Sequence, residues 1–298
     1  MEPNSQEDQK NNYQINPLTT RFILVIVCIA TFAVFLEWAG GNLIERYYKE
    51  GDKAYARSST WMQDYKTKTG GMCSIATVKL QNYMMYATDV AAQGYGGGYG
   101  ADVLVKQIEQ AKADKRIKGV LLAVDSPGGS PLAGEMIANA LKNLGKPSAA
   151  LIYDFGDSAA YFASTGANVI IASPFSSVGD IGITSSYVDY SSSTQQSGGE
   201  FVQLSAGEYK DAGNPDKPLT KEEKQLLQKN VDEEYQNLIR QIAANRNLST
   251  STVKELANGA AVPGSVALEK KLIDMLGDLN TARDWFTQKI GSEAVFCE

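Results

Sequence analysis

The sequence predicts an α/β domain with parallel strand pairing, carried behind a single membrane-spanning helix. Short, wholly apolar runs at 119–124 (GVLLAV) and 169–172 (VIIA) read as strands buried on both faces. Segments of helical period alternate with such runs, the order that builds a parallel sheet covered by helices. One uncharged apolar stretch, 22–36 (FILVIVCIATFAVFL), stands ahead of this pattern.

The N-terminal elements come first. Residues 1–20 are polar, rich in Asn and Gln and without apolar period, and read as a disordered tail. The apolar stretch is too short alone, since fifteen helical residues span roughly 22 Å against a hydrocarbon core of about 30 Å. Taking in its flanks, with Arg21 snorkelling and Trp38 at the interface, makes 21–41 an adequate transmembrane signal anchor. A cleaved signal peptide is the rival, because Ala39-Gly40-Gly41 loosely fits a cleavage site. Lys10 and Arg21 precede the span while Glu37, Glu45, Arg46 and Lys49 follow it. That balance favours a single-pass protein of the cell (inner) membrane, N-terminus inside and bulk extracytoplasmic. Residues 42–70, charged and rich in Tyr, read as a stalk, leaving 71–290 as the folded domain.

Within the domain, 75–80 (IATVKL) reads as a strand and 94–100 (GYGGGYG) as a flexible loop. A helix at 101–114 follows, then the strand 119–124, the turn DSPGGS and a helix at 132–144. A strand at 148–153 leads through a short loop into a helix at 157–165, and 169–172 is the next strand. Further helices are expected at 220–245 and 251–258.

Composition limits the chemistry. The 298 residues include no His, which excludes Ser-His-Asp and Cys-His arrangements and His-based zinc sites. Cys28, Cys73 and Cys297 show no CxxC spacing, and no cofactor or metal is implied. A formal charge of −6 without a basic run argues against nucleic acid as a partner. Proton transfer must then fall to Asp, Glu, Lys, Tyr or a thiol.

Three segments could carry it. Gly128 and Gly129, at the tip of a buried strand, can expose backbone N–H groups to a developing anion, although Pro-Gly pairs are also ordinary turns. Ser158, in GDSAAY, sits where a strand passes into an Ala-rich helix, placed to attack a carbonyl with the Ala159 N–H beside it; helix capping by Asp157 or Ser158 explains the same residues. Lys210, in SAGEYKDAG, is a base candidate and by default a surface lysine, with Glu208 and Asp211 opposing the neutral form that a base needs. Ser251-Thr252-Val253-Lys254 matches an SxxK pattern but reads as a helix start, and its companion signatures are absent.

In this order the three segments resemble peptidase family S49, the signal peptide peptidases of the SppA type in their single-repeat form. The resemblance runs from about Ile75 to Trp285 and is most specific at 207–227 (GEYKDAGNPDKPLTKEEKQLL). Residues 178–183 (VGDIGI) and the closing segments Asn258-Gly259, Val262-Pro263-Gly264 and Leu272-Ile273-Asp274 follow the same pattern. It implies a ClpP/crotonase-like superhelical β-β-α core and a serine endopeptidase acting on apolar peptides such as cleaved signal peptides. Ser158 would be the nucleophile, Lys210 the general base, and Gly128 or Gly129 with Ala159 the oxyanion donors. It further implies a ring-like homo-oligomer in which the serine and lysine come from neighbouring subunits. The sequence departs from the family at Asp157, where Ala is usual, at Ala159-Ala160, where Gly-Gly is usual, at Asp180 and at Ala260. A crotonase-like acyl-CoA enzyme and an inactive membrane scaffold of the same fold are the alternatives.

Overall fold

The computed structural model describes residues 73–86 and 100–297. The tail, the anchor at 21–41, the stalk and most of the glycine loop lie outside the described residues. Among the described residues no helix is long and apolar enough to cross a membrane.

The elements alternate as the α/β pattern requires. β1 (Ile75–Gln81) is followed by α1 (Ala101–Ala113), β2 (Gly119–Ser126), α2 (Pro131–Lys142), β3 (Ser148–Asp157) and α3 (Ala159–Ser164). Then come β4 (Val169–Ala172), β5 (Ser177–Gly179), α4 (Ser191–Gln196), α5 (Lys221–Arg246) and α6 (Thr250–Leu256). β6 (Ala261–Pro263), α7 (Gly264–Glu269), β7 (Met275–Leu276), α8 (Leu279–Ile290) and β8 (Phe296–Cys297) complete the order. The strands pair as β6-β5-β3-β2-β1-β8, with β4 on β3 and β7 on β4; the pairing is parallel throughout except between β5 and β6.

Strand alternation divides the core. Val78 and Leu80 of β1, Val120, Leu122 and Val124 of β2, and Ala150 and Ile152 of β3 face α1, α2 and α3. Ile75, Leu121, Ala149, Leu151, Val169 and Ile171 point the other way, onto Phe286 of α8. Period-two placement on a sheet covered on both sides is why these strands read as unbroken apolar runs. Phe286 is fully buried and meets Trp285 and Phe296 edge-on, with ring centroids 5.0 and 6.1 Å away.

β3 is the strand the sequence under-read. It runs past Tyr153 to Asp157, with no loop before Ser158. Its first half pairs with β4 through Ala149–Ile152. The register against β2 then slips, from Val124 opposite Ile152 to Ser126 opposite Gly156. Beyond that irregularity the second half takes β5 as its partner, Phe155 to Ser177 and Asp157 to Gly179. A bulge bends the bulged strand, so one strand serves two neighbours, and Ser176 Oγ bridges to the Ile152 and Tyr153 carbonyls at the fork.

The closing segments are tied by charge and by sulfur. Arg246 at the end of α5 makes a two-pronged contact with Asp274 at 2.9 and 2.8 Å, and Asp274 also accepts from the Ile170 N–H. Tyr161 donates to the Leu272 carbonyl at 2.9 Å, and burial pushes its phenol far above the usual range. Cys73 and Cys297, unpaired in the sequence reading, form a disulfide across 224 residues. It joins the lead-in of β1 to β8 at the sheet edge, where Ala76 pairs with Cys297.

Closing so long a loop restricts the unfolded chain, by about 5 kcal/mol in the chain-entropy limit. Cys297→Ser should therefore lower stability by roughly 2–5 kcal/mol. Thermal melts of the variant and the oxidised parent measure it, and an unchanged melting temperature would contradict the clasp.

Candidate active site

Ser158 stands at the carboxyl end of β3, the end at which open parallel sheets place their sites. Its backbone is left-handed, φ 52°, a conformation that costs a residue with a Cβ. The surroundings impose it. The Ser158 N–H is held by the Gly179 carbonyl at 2.7 Å, continuing the β3–β5 pairing, while its carbonyl already accepts from Phe162 at 3.0 Å in α3. The residue must turn from strand to helix in one step. Its side chain makes no capping hydrogen bond, so capping does not account for the serine.

The glycine turn closes on it. Gly128 has φ 104°, and a Cβ placed there would lie 2.7 Å from Ser158 Cβ and 2.8 Å from the Asp157 carbonyl oxygen. Gly129 has φ 144° and packs on the Met84 backbone, where a Cβ would meet the carbonyl oxygen at 2.1 Å. Gly134 of α2 gives the same close approach from below, with the Ala159 carbonyl oxygen 2.6 Å from any Cβ. Glycine is the residue that permits both the dihedral angles and the contact.

These contacts sort the donors. The Gly128 N–H is engaged by Ser126 Oγ at 3.1 Å. Those of Gly129 and Ala159 donate no hydrogen bond among the described residues. Ser158, Gly128, Gly129 and Ala159 are thus gathered at one place.

No hydrogen bond or ion pair joins Lys210 to them. It lies exposed in a turn of the long excursion between β5 and α5, and its ammonium makes no hydrogen bond or ion pair with a described residue. Lys217, seven residues on, is spoken for: its Nζ meets both Glu223 oxygens at 2.6 and 2.7 Å, inside the capping box that Thr220 and Glu223 form at the start of α5. Lys254 of the SxxK match lies in α6, whose start Ser249 caps by accepting from Thr252 N–H. That segment is a helix start, as read.

Residues 140–292 match the model of peptidase family S49. The chain belongs to that family. A putative protease of Methanocaldococcus jannaschii is 35% identical over 175 residues, 58% of this chain and 56% of the relative. A putative signal peptide peptidase SppA of Enterococcus faecium is 31% identical over 189 residues, 62% of this chain and 55% of the relative. The capsid assembly protease C of Escherichia phage lambda is 27% identical over 62% of this chain and 43% of its own length. The match thus takes in little more than half of the first two relatives. Among solved structures, a variant of the membrane-bound stomatin-specific protease 1510-N overlaps 71% of this chain and 84% of its own at TM-score 0.46 and 13% identity. A ClpP1 variant from Listeria monocytogenes overlaps 68% of this chain and 93% of its own at TM-score 0.45 and 11% identity.

Two carboxylates stand next to the Ser158 cluster along the β3–β5 pairing. Asp157 is 8% exposed, and both its oxygens lie within hydrogen-bond reach of Ser177 Oγ, at 3.1 and 2.9 Å. Burial pushes its carboxyl up, the Ser177 hydroxyl opposes that, and Asp180 adds to the rise. Asp180, itself left-handed at φ 47°, is pushed up by burial. The sequence marked both residues as departures, but only the β3–β5 pairing puts them side by side.

A carboxyl raised by folding binds more protons folded than unfolded, so it subtracts stability as the pH climbs above 3.8, its ordinary value, through the raised one. Asp157→Asn keeps an acceptor for Ser177 and removes that penalty. The variant should melt higher than the parent at neutral pH, with the gain shrinking as the pH falls toward 3.8. A gain independent of pH would contradict a titrating Asp157.

Proposed function

We propose that this chain is a membrane-anchored serine endopeptidase with a Ser158–Lys210 pair, built on a ClpP/crotonase-like core. The observation that carries the reading is Ser158 itself: an uncapped hydroxyl on a left-handed backbone, beside the unengaged N–H groups of Gly129 and Ala159. Strain at a non-glycine residue, held by its surroundings, is what exposes a nucleophile at a strand-to-helix turn. Attack by Ser158 Oγ on a peptide carbonyl forms the tetrahedral adduct. The Gly129 and Ala159 donors take its oxygen, a step worth about 10²–10³ in rate per donor. Lys210 Nζ accepts the serine proton and passes it to the leaving amine, and water then clears the acyl-serine by the same route.

Lys210 reaches the serine from a neighbouring subunit in this reading. Its segment exposes Val202 at 66% and Leu204 at 93%, apolar surface suited to burial against a second copy in a ring. Apolar peptides, such as cleaved signal peptides, are the proposed substrates. Tyr83, Tyr86, Leu132, Tyr153 and Phe155, all exposed near the carboxyl ends of β1, β2 and β3, support that choice.

The anchor at 21–41, an inside N-terminus and an extracytoplasmic domain complete the proposal. The Cys73–Cys297 disulfide supports the outer location, because such bonds persist in oxidising compartments. A membrane scaffold without activity has one observation in its favour, the Asp157 carboxyl next to the nucleophile.

A serine-directed fluorophosphonate probe tests the reading on the full chain in membranes. The parent should be labelled, Ser158→Ala should not, and Lys210→Ala should lose labelling by at least about 10². Mixing Ser158→Ala with Lys210→Ala subunits should restore peptide cleavage if the pair forms across subunits. An unlabelled parent in its assembled form would sink the peptidase; absence of recovery in verified mixed rings would sink the shared pair.

A further inference from the structure

Asp157 and Asp180 flank Ser158 through the backbone, and neither has an ion-pair partner among the described residues. Asp157 precedes the nucleophile on β3, and Asp180 follows Gly179, whose carbonyl holds the Ser158 N–H at 2.7 Å. The ion pairs formed among the described residues, Lys112–Glu109, Arg116–Asp114, Lys217–Glu223 and Arg246–Asp274, involve neither of them. Ser177 Oγ has a single proton to share between the two Asp157 oxygens.

The elements around the pair offer little else. From β5 comes the neutral Ser177, and from the glycine turn Gly128, packed on the Asp157 carbonyl. Asp125 on β2 accepts from the Phe155 N–H at 3.3 Å, and Asp154 is exposed on the outer side of β3. β6, paired with β5, carries no titratable group, and α7, packed on β5, carries only Glu269, so every titratable group on these elements is an acid or a phenol, Tyr153.

Carboxylates fixed beside a nucleophile act on two partners at once. Ionised, they favour the protonated form of any ammonium brought to Ser158, and they oppose negative charge on the serine oxygen. Both effects raise the pH needed to take the serine proton. In the alkaline range where a lysine loses its proton, both carboxyls are ionised, so the effect is fully present there.

Resting on the proposed Ser158 chemistry, we infer that Asp157 and Asp180 are positioning residues that set the pH dependence of Ser158 activation, holding the proton on its base until the medium is alkaline. They touch neither the cleaved bond nor the transferred proton; they act through the base.

The test is the rate of Ser158 labelling by the fluorophosphonate probe as a function of pH, on the full chain in membranes. Asp157→Asn and Asp180→Asn are compared with the parent, and Asp180→Ser serves as a second variant at the more exposed position. Each rising limb is read relative to that protein's own maximum, so changes in amount or folding do not enter. Its midpoint should move to lower pH by about one unit for each carboxylate removed, the shift expected of a nearby unit charge at a partly solvated site. High salt should move the parent limb the same way, and a variant carrying both Asp157→Asn and Asp180→Asn less. An unmoved limb in labelled variants overturns the inference and leaves the peptidase reading standing, as does a folded variant that takes no label at any pH. A parent without label at every pH overturns the peptidase reading first.

Discussion

The hydrogen bond from the Ser158 N–H to the Gly179 carbonyl is the contact on which the arrangement of this site depends. It is the last rung of the short β3–β5 pairing, and it exists because β3 leaves β4 at the bulge against β2. Without that change of partner the strand would end in line with β4, and Ser158 would have no reason to enter the left-handed region. With it, the chain must reverse its backbone twist in one residue before α3 begins. Gly128 then closes on Ser158 and Gly134 on the Ala159 carbonyl, each in the space a Cβ would take. Ser158 is positioned by backbone, and its own hydroxyl is left without a cap to make.

The same economy explains which donors remain. Ser126 takes the Gly128 N–H, which pins the turn, and Gly129 and Ala159 are left with theirs. Backbone donors held in this way are fixed dipoles that need little rearrangement to meet a negative charge. The price is local strain, offset by a core in which Tyr161 and Phe162, the residues just beyond the turn, are buried almost completely. Asp157 and Asp180 bring two carboxyls to the same turn, so free backbone donors and acidic side chains occur together there.

Much of the fold was legible because parallel strands buried on both faces leave unbroken apolar runs, as at 119–124 and 169–172. The β3 extension was not, since Tyr153-Asp154-Phe155 breaks the run and is exposed at the bulge. Periodicity has no term for a strand that changes neighbours. Ser158 and the two glycines were legible as a set only through their order along the chain, and their contact needed the sheet. Lys210 makes no hydrogen bond or ion pair with them among the described residues, and nothing in the residue pattern around it says what it should meet. The disulfide was within reach: of three cysteines, one lies in the apolar run, and the other two flank the α/β pattern at its ends.

That disulfide has a mechanical consequence. Cys73 is where the polypeptide enters the described domain, and Cys297 closes its last strand, β8. A pull arriving along the chain from the N-terminal side reaches the crosslink before it reaches β1. The load divides there between β1 and β8, which lie parallel and hydrogen-bonded to each other. Both strands must then slide together against β2, in shear along a seven-residue register, instead of β1 peeling away one hydrogen bond at a time. A domain with its first and last strands riveted in this way resists traction applied at its N-terminal side.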